Sequence, residues 1–150
     1  MIPILSLILC LLSPQRAFIS IEACSEKQNQ ISLSVHVKNT SNYRQLRLPG
    51  IRVKDGLIHS WNWGVLIHRD DQEVFINEPI YAKMEKQPDL IVRPNGVFSF
   101  ELEIDTQQLI DDQYRPIQYT QGIYTFQIYY THHNRKYYSN IVKIATLKNE

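Results

Sequence analysis

Apolar and polar residues alternate with a period of two along most of this chain. Ile31, Leu33, Val35 and Val37 alternate with Ser32, Ser34, His36 and Lys38, which predicts a strand with one buried and one wet face. The same rhythm in Phe18-Ile19-Ser20-Ile21-Glu22-Ala23 predicts an earlier strand, with Ser25-Glu26-Lys27-Gln28-Asn29-Gln30 as a polar turn between the two. Asn39-Thr40-Ser41-Asn42 ends the second strand, because such side chains offer the backbone local hydrogen bonds in place of a ladder. Leu46-Arg47-Leu48 is a short extended piece closed by Pro49-Gly50, and the stretch from Ile51 to Asn62, without a clean period, reads as a long connection. Trp63-Gly64-Val65-Leu66-Ile67-His68-Arg69 predicts a strand that Asp70-Asp71-Gln72 turns into Glu73-Val74-Phe75-Ile76 as a hairpin. Residues 77–88 are polar with two prolines and read as a loop or irregular edge, followed by a short strand at Leu90-Ile91-Val92.

Pro94-Asn95-Gly96 predicts a turn, since Pro presets the bend and Asn and Gly tolerate positive φ. It launches Phe98, Phe100, Leu102 and Ile104, which alternate with Ser99, Glu101 and Glu103. Asp105-Thr106 is placed to cap a single helical turn around Leu109-Ile110. Gly122 then opens Ile123-Tyr124-Thr125-Phe126-Gln127-Ile128-Tyr129-Tyr130, and the polar tip His132-His133-Asn134-Arg135 returns the chain into Tyr137 through Leu147. No segment sustains a 3.6-residue period, which argues against a parallel βαβ architecture. The expectation is an all-β antiparallel sandwich of about seven to nine short strands with at most one short helical turn.

Ahead of these strands lies an apolar run, Ile2 to Leu12, that stops at Ser13-Pro14. It is shorter than the roughly 20 residues of a membrane-spanning helix and matches the apolar core of about 7–15 residues in a secretion signal. We therefore expect a signal peptide over residues 1–17, one domain over 18–147 and a tail over 148–150, with the protein secreted or held in the periplasm or cell envelope. Against this, no Lys or Arg precedes the run, and Gln15 stands where a small residue suits a cleavage site ending at Ala17. An uncleaved anchor or a buried first strand are the other readings of the run. Cys10 would leave with the signal, so Cys24 would have no internal disulfide partner. Ile21-Glu22-Ala23-Cys24 has a faint likeness to a bacterial lipoprotein signal with Cys24 as the lipidated residue, but Glu22 fits it badly. A small, half-buried strand residue is the simpler account of Cys24.

The formal net charge is +1, and cleavage after Arg16 or Ala17 brings it near zero. That argues against a nucleic-acid binder, which carries a basic stripe, and against adhesion to an anionic membrane by charge alone. Membrane contact is expected only through an uncleaved signal or a lipid anchor. Candidate chemistry is sparse. His132 and His133 are adjacent, His36 and His68 lie on different strands where they could meet on an outer face, and no spacing supports a closed zinc site. There is no Gly-x-Ser-x-Gly elbow. Asp70-Asp71 and Asp111-Asp112 read as loop or cap chemistry, and Glu101 and Glu103 share the wet face of one strand. We expect neither an enzyme nor a bound metal or cofactor. Asn39-Thr40-Ser41 satisfies the glycosylation sequon, and its turn chemistry explains it equally well.

Gly122-Ile123-Tyr124-Thr125-Phe126 resembles the tyrosine corner of immunoglobulin-like sandwiches, with Phe126 standing where antibody domains place a cysteine. Together with Ile31–Val37, Lys38-Asn39-Thr40-Ser41, Arg93-Pro94-Asn95-Gly96 and Ser139-Asn140-Ile141-Val142, it resembles small immunoglobulin-like domains of bacterial exported proteins. In layout it is similar to the intracellular proteinase inhibitor domain. The resemblance implies an immunoglobulin-like fold; it does not imply one activity, because such sandwiches host many.

Aromatic residues are the best lead to a function. Tyr114, Tyr119, Tyr124, Tyr129, Tyr130, Tyr137 and Tyr138 crowd the last third of the chain. Alternation sends Tyr124, Phe126, Ile128 and Tyr130 to one face and Tyr129 to the other, where it could form an aromatic patch beside Tyr137 or Tyr138. Tyrosine suits partner binding because it offers area with few rotors to freeze, although cross-strand pairing that merely steadies a hairpin would look the same. Trp61 is free for a ligand in a connection, and Trp63 is better placed as a core plug. The sequence thus predicts a non-catalytic binding domain for a protein partner, with Trp61, Tyr129, Tyr137, His132 and Arg135 as contacts. A carbohydrate-binding module using the exposed Tyr and Trp is the alternative. A proteinase inhibitor-like domain, presenting residues 49–62 or 77–88 as a rigid loop, is the other.

Overall fold

The computed structural model describes residues 17–27, 30–54, 57–60, 62–77, 87–117 and 122–146. Among them the regular elements are strands apart from one 3-10 turn, and every strand pairing is antiparallel. β1 (Ala17–Lys27), β2 (Gln30–Asn39) and β9 (Val97–Asp105) form a three-stranded sheet in the order β1-β2-β9. The larger sheet runs β10 (Leu109–Ile110), β7 (Gln72–Ile76), β6 (Trp63–Arg69), β11 (Gly122–His132), β12 (Arg135–Tyr138), with β13 (Val142–Thr146) also on β11. Two small ribbons pair β3 (Leu46–Leu48) with β8 (Leu90–Val92) and β4 (Arg52–Lys54) with β5 (Leu57–His59).

The alternation in the sequence becomes burial through register. Val35 of β2 lies opposite Ile21 on one side and Phe100 on the other, and Leu33 lies opposite Leu102. Residues directly opposite share a face, so apolar side chains meet apolar side chains, and a slip of one residue would expose the whole set. In the larger sheet Phe126 faces Ile67, Ile128 faces Val65 and Tyr130 faces Trp63. The inward faces of both sheets contribute to one core, in which Ile31, Leu33, Val35, Val37, Tyr124, Phe126 and Ile128 have no exposed surface. Each such side chain is worth about 1.5–3 kcal/mol of apolar burial. Trp63 joins the two sheets. Its ring meets Phe100 of the three-stranded sheet edge-on at 6.1 Å and leans on Tyr130 at 5.2 Å, while its indole N–H donates to the Pro49 carbonyl at 3.1 Å.

Several local expectations need correction. The first strand runs on through Ser25, Glu26 and Lys27 rather than turning at Ser25, because a bulge between Ala23 and Ser25 absorbs the polar residues into the ladder. Cys24 is the extra residue of that bulge and is exposed rather than half-buried, with its thiol beside the Ser34 hydroxyl. The connection 51–62 contains the β4–β5 ribbon, too short for a period to register. Asp105 does cap a turn, its carboxylate accepting from the Gln107 N–H at 2.9 Å, but that turn is a 3-10 turn at Thr106–Gln108. Leu109 and Ile110 are extended and pair with Ile76 and Phe75. The last strand is broken at residues 139–141. There the buried Ser139 replaces a ladder partner: its hydroxyl accepts from the Ile128 N–H and its own N–H donates to the Ile128 carbonyl. Asn140 then turns to the other sheet, pairing its carboxamide with both the N–H and the C=O of Ile21.

Asn39 closes β2 with a network rather than a simple turn. Its fully buried carboxamide donates toward the carbonyls of Arg44, Val92 and Arg93 and accepts from the Ser41 N–H. A glycan could not be attached there without dismantling these bonds. Asn39→Ala is expected to cost about 3 kcal/mol, since it leaves buried carbonyls without donors, and Asn39→Asp at least as much, because a carboxylate would face carbonyl oxygens. Chemical denaturation of both variants checks this. Burial, with a smaller contribution from Tyr137, pushes the Tyr130 hydroxyl up to about 12, against about 10 in an unfolded chain. The neutral hydroxyl therefore contributes fully below pH 10 and its contribution fades as pH rises from about 10 to 12. The stability difference between Tyr130→Phe and the parent is expected to stay flat to about pH 10 and then to move in favour of Phe in denaturation measured up to pH 12.

Candidate functional site

The surface that gathers most of the sequence candidates is the β11–β12 hairpin. Its turn is the two-residue kind that matches strand twist, with both central residues, His133 (φ 48°) and Asn134 (φ 61°), in the left-handed region. That turn sets the register: His132 lies opposite Arg135, Thr131 opposite Lys136, Tyr130 opposite Tyr137 and Tyr129 opposite Tyr138. Tyr137 consequently faces the core side, stacked on Tyr130 with ring centroids 4.8 Å apart and planes 11° apart. It is not the outward partner of Tyr129. Tyr138, 47% exposed, takes that place.

The outer aromatic pair is held by its neighbours. Tyr129 lies opposite Gly64, and its ring covers the glycine so closely that a Cβ there would come within 2.5 Å of the phenol carbon. The Lys136 ammonium sits 4.5 Å from the Tyr129 ring centroid, a cation–π contact. The Tyr138 ring is 6.0 Å away and tilted by 50°. At the tip the His132 and His133 rings are 4.1 Å apart. Arg135 and Lys136 are exposed, and among the described residues no carboxylate lies within ion-pair distance of either.

Of the expected contacts, Tyr129, His132 and Arg135 lie on this hairpin, Tyr129 on one face and His132 and Arg135 on the other; Tyr137 turns inward, and Trp61 lies outside the described residues. Tyr138 is the outward one of the two tyrosines weighed beside Tyr129, and Lys136 and His133 stand with them though neither was among the expected contacts. The signal that could have found them is charge: no Asp or Glu occurs between Asp112 and Glu150. His36 and His68 do not meet, because β2 and β6 belong to different sheets; His36 instead bonds the Ser99 hydroxyl at 2.7 Å. Among the described residues no three His, Cys, Asp or Glu side chains are grouped to hold a metal ion. Most of the 77–88 loop also lies outside the described residues.

A groove of about 800 Å³ opens along β7 and the 111–117 loop, away from the hairpin tip. Its Asp111 carboxylate takes the Arg115 guanidinium at 2.7 Å and the backbone N–H groups of Arg115 and Gln113. The Arg115 backbone N–H, then its guanidinium, hold this carboxyl below its ordinary range, so it is poorly suited to act as a base. No protein-family model matches the chain, and no curated protein matches it in sequence.

Gly64→Ala is expected to displace the Tyr129 ring and destabilise the protein by about 1–3 kcal/mol, as overpacking does. In a Tyr129→Ala background the same change should cost nothing or stabilise slightly, because Ala is the better strand residue. A double-mutant cycle on thermal unfolding measures the coupling.

Proposed function

We propose that this chain is an exported, immunoglobulin-like β-sandwich that binds a protein partner and performs no chemistry. The connectivity supports the fold reading. The chain builds β1 and β2 on one sheet, crosses to β6 and β7, returns for β9, and crosses back for β10 to β13. Such interleaving of two sheets supports a Greek-key sandwich reading. Trp63 at the start of β6 is buried, and Tyr124 near the start of β11 is buried two residues before Phe126. Their burial supports likening them to the core Trp and corner Tyr of such folds. The export reading rests on the apolar run from Ile2 to Leu12.

The observation that carries the binding reading is the exposed Tyr138–Lys136 surface beside Tyr129, with the exposed Arg135 at the same tip on the other face. It also favours a protein over a carbohydrate. Sugar rings stack on an open aromatic face, whereas Tyr129 is covered by Gly64 and Lys136 and tilted against Tyr138. Exposed tyrosine and arginine are residue types that protein interfaces enrich. Treatment of the native compartment with a lysine-reactive cross-linker, followed by mass spectrometry, is expected to join Lys136 to another protein. Absence of any such cross-link, or glycan-array binding that disappears in Tyr138→Ala, would overturn the proposal.

A further inference from the structure

We infer that the β11–β12 hairpin docks an acidic polypeptide segment of the partner. The inference rests on the binding reading above and names the partner's chemistry. The stretch from Gln113 to Asn149 carries Arg115, Arg135, Lys136, Lys143 and Lys148 and no carboxylate side chain. Folding sets β12 and β13 in line along one edge of β11, so sequence segregation of charge becomes segregation along that edge. The acids of the β6–β7 turn lie at the far end of β11. Asp70 exchanges backbone and side-chain bonds with Ile123, near the start of that strand, and the basic tip is at its other end. The two ends are about 30 Å apart at a strand rise of about 3.3 Å per residue, beyond mutual neutralisation in one molecule.

The tip is built to meet anions from more than one side. Lys136 lies on the outward face with Tyr129 and Tyr138, Arg135 on the opposite face across from His132, and His133 in the turn itself. Lys136 alone could serve to guard a sheet edge against pairing. Arg135 and the two histidines lie at or beyond the last ladder pair, where there is no edge to guard. The Tyr129 ring holds the Lys136 ammonium in place before binding, which lowers the ordering cost, and the Arg135 fork matches a carboxylate in a bidentate geometry. His133 also occupies a turn position for which Asn or Gly is the low-energy choice.

The size of the patch selects among anions. Retention on an anionic membrane calls for a cluster of about 4–8 basic residues, and this tip has two permanent cations. The tilted, covered tyrosines disfavour a polysaccharide. A run of a few Glu or Asp side chains matches both the charge and the width of a two-stranded tip.

Fluorescence anisotropy of the full chain with a labelled hexaglutamate peptide, and with its hexaglutamine counterpart, tests this at low salt. The glutamate peptide is expected to bind and the glutamine peptide not. Arg135→Gln with Lys136→Gln, both exposed, should weaken binding by about tenfold or more with unchanged melting. Lys143→Gln, which removes a single charge elsewhere on the same strands, should change it less than about twofold. No glutamate binding overturns the inference, as does equal loss in Lys143→Gln. Tighter binding of an anionic polysaccharide or of phosphatidylserine vesicles also overturns it, as does self-association in place of peptide binding. A Lys136 cross-link to a protein that survives such a failure would leave the binding reading standing with a non-acidic partner.

Discussion

The sealed space between the two larger sheets is the constraint on which the rest of the structure depends. Side chains such as Leu33, Val35, Phe126 and Ile128 are removed from water completely, so a polar group entering that space must bring its partner or cost about 1–3 kcal/mol. Trp63 enters with its indole N–H bound to Pro49. Asn39 enters with bonds to both flanking segments. Ser139 enters by taking over the Ile128 backbone. Each of these residues marks a place where the chain stops being a simple strand, and each keeps the apolar layer closed while it does so.

The break at Ser139-Asn140 links this core to the candidate surface. It ends β12 after Tyr138 and lets Asn140 occupy the backbone groups of Ile21 on the β1 edge. An open strand edge invites pairing with another chain; here a side chain covers part of it. The hairpin formed by β11 and β12 reaches past the break with the start of β6 along its other side, and its tip extends just beyond the last β6 pair. Its inner side is anchored by the Tyr130–Tyr137 stack and its outer side by Tyr129 lying on Gly64. The basic tip is thus carried on a rigid stem, which is the arrangement that lets a few exposed groups act with little loss of freedom on binding.

Two of the tight turns are made without glycine at their centres, and their chemistry differs. Asp70-Asp71 carries positive φ at one end of the larger sheet, His133-Asn134 at the other. Asp70 uses its carboxylate to hold the start of β11, so its side chain repays the backbone conformation locally. His133 packs its ring against the neighbouring imidazole of His132, and its positive φ is what the two-residue hairpin turn requires.

Much of the fold was legible because strand burial is a local, period-two property: the buried faces of β2, β9 and β11, Trp63 as a core plug, and the turns at Asp70-Asp71 and Asn95-Gly96 all follow from residues within a few positions of one another. The site was only half legible. Whether Tyr137 or Tyr138 faces outward depends on which two residues form the turn, since moving it by one residue exchanges the faces, and a polar tip such as His132-His133-Asn134-Arg135 fits more than one placement. The sequence by itself therefore determined that this is an all-β protein, with named side chains inside and an acid-free stretch from Gln113 to Asn149. The tertiary structure alone decided the Cys24 bulge, the buried network of Asn39, the crossing at Asn140, and which tyrosine stands beside Lys136, because each is set by a partner distant in the chain whose position no local pattern encodes.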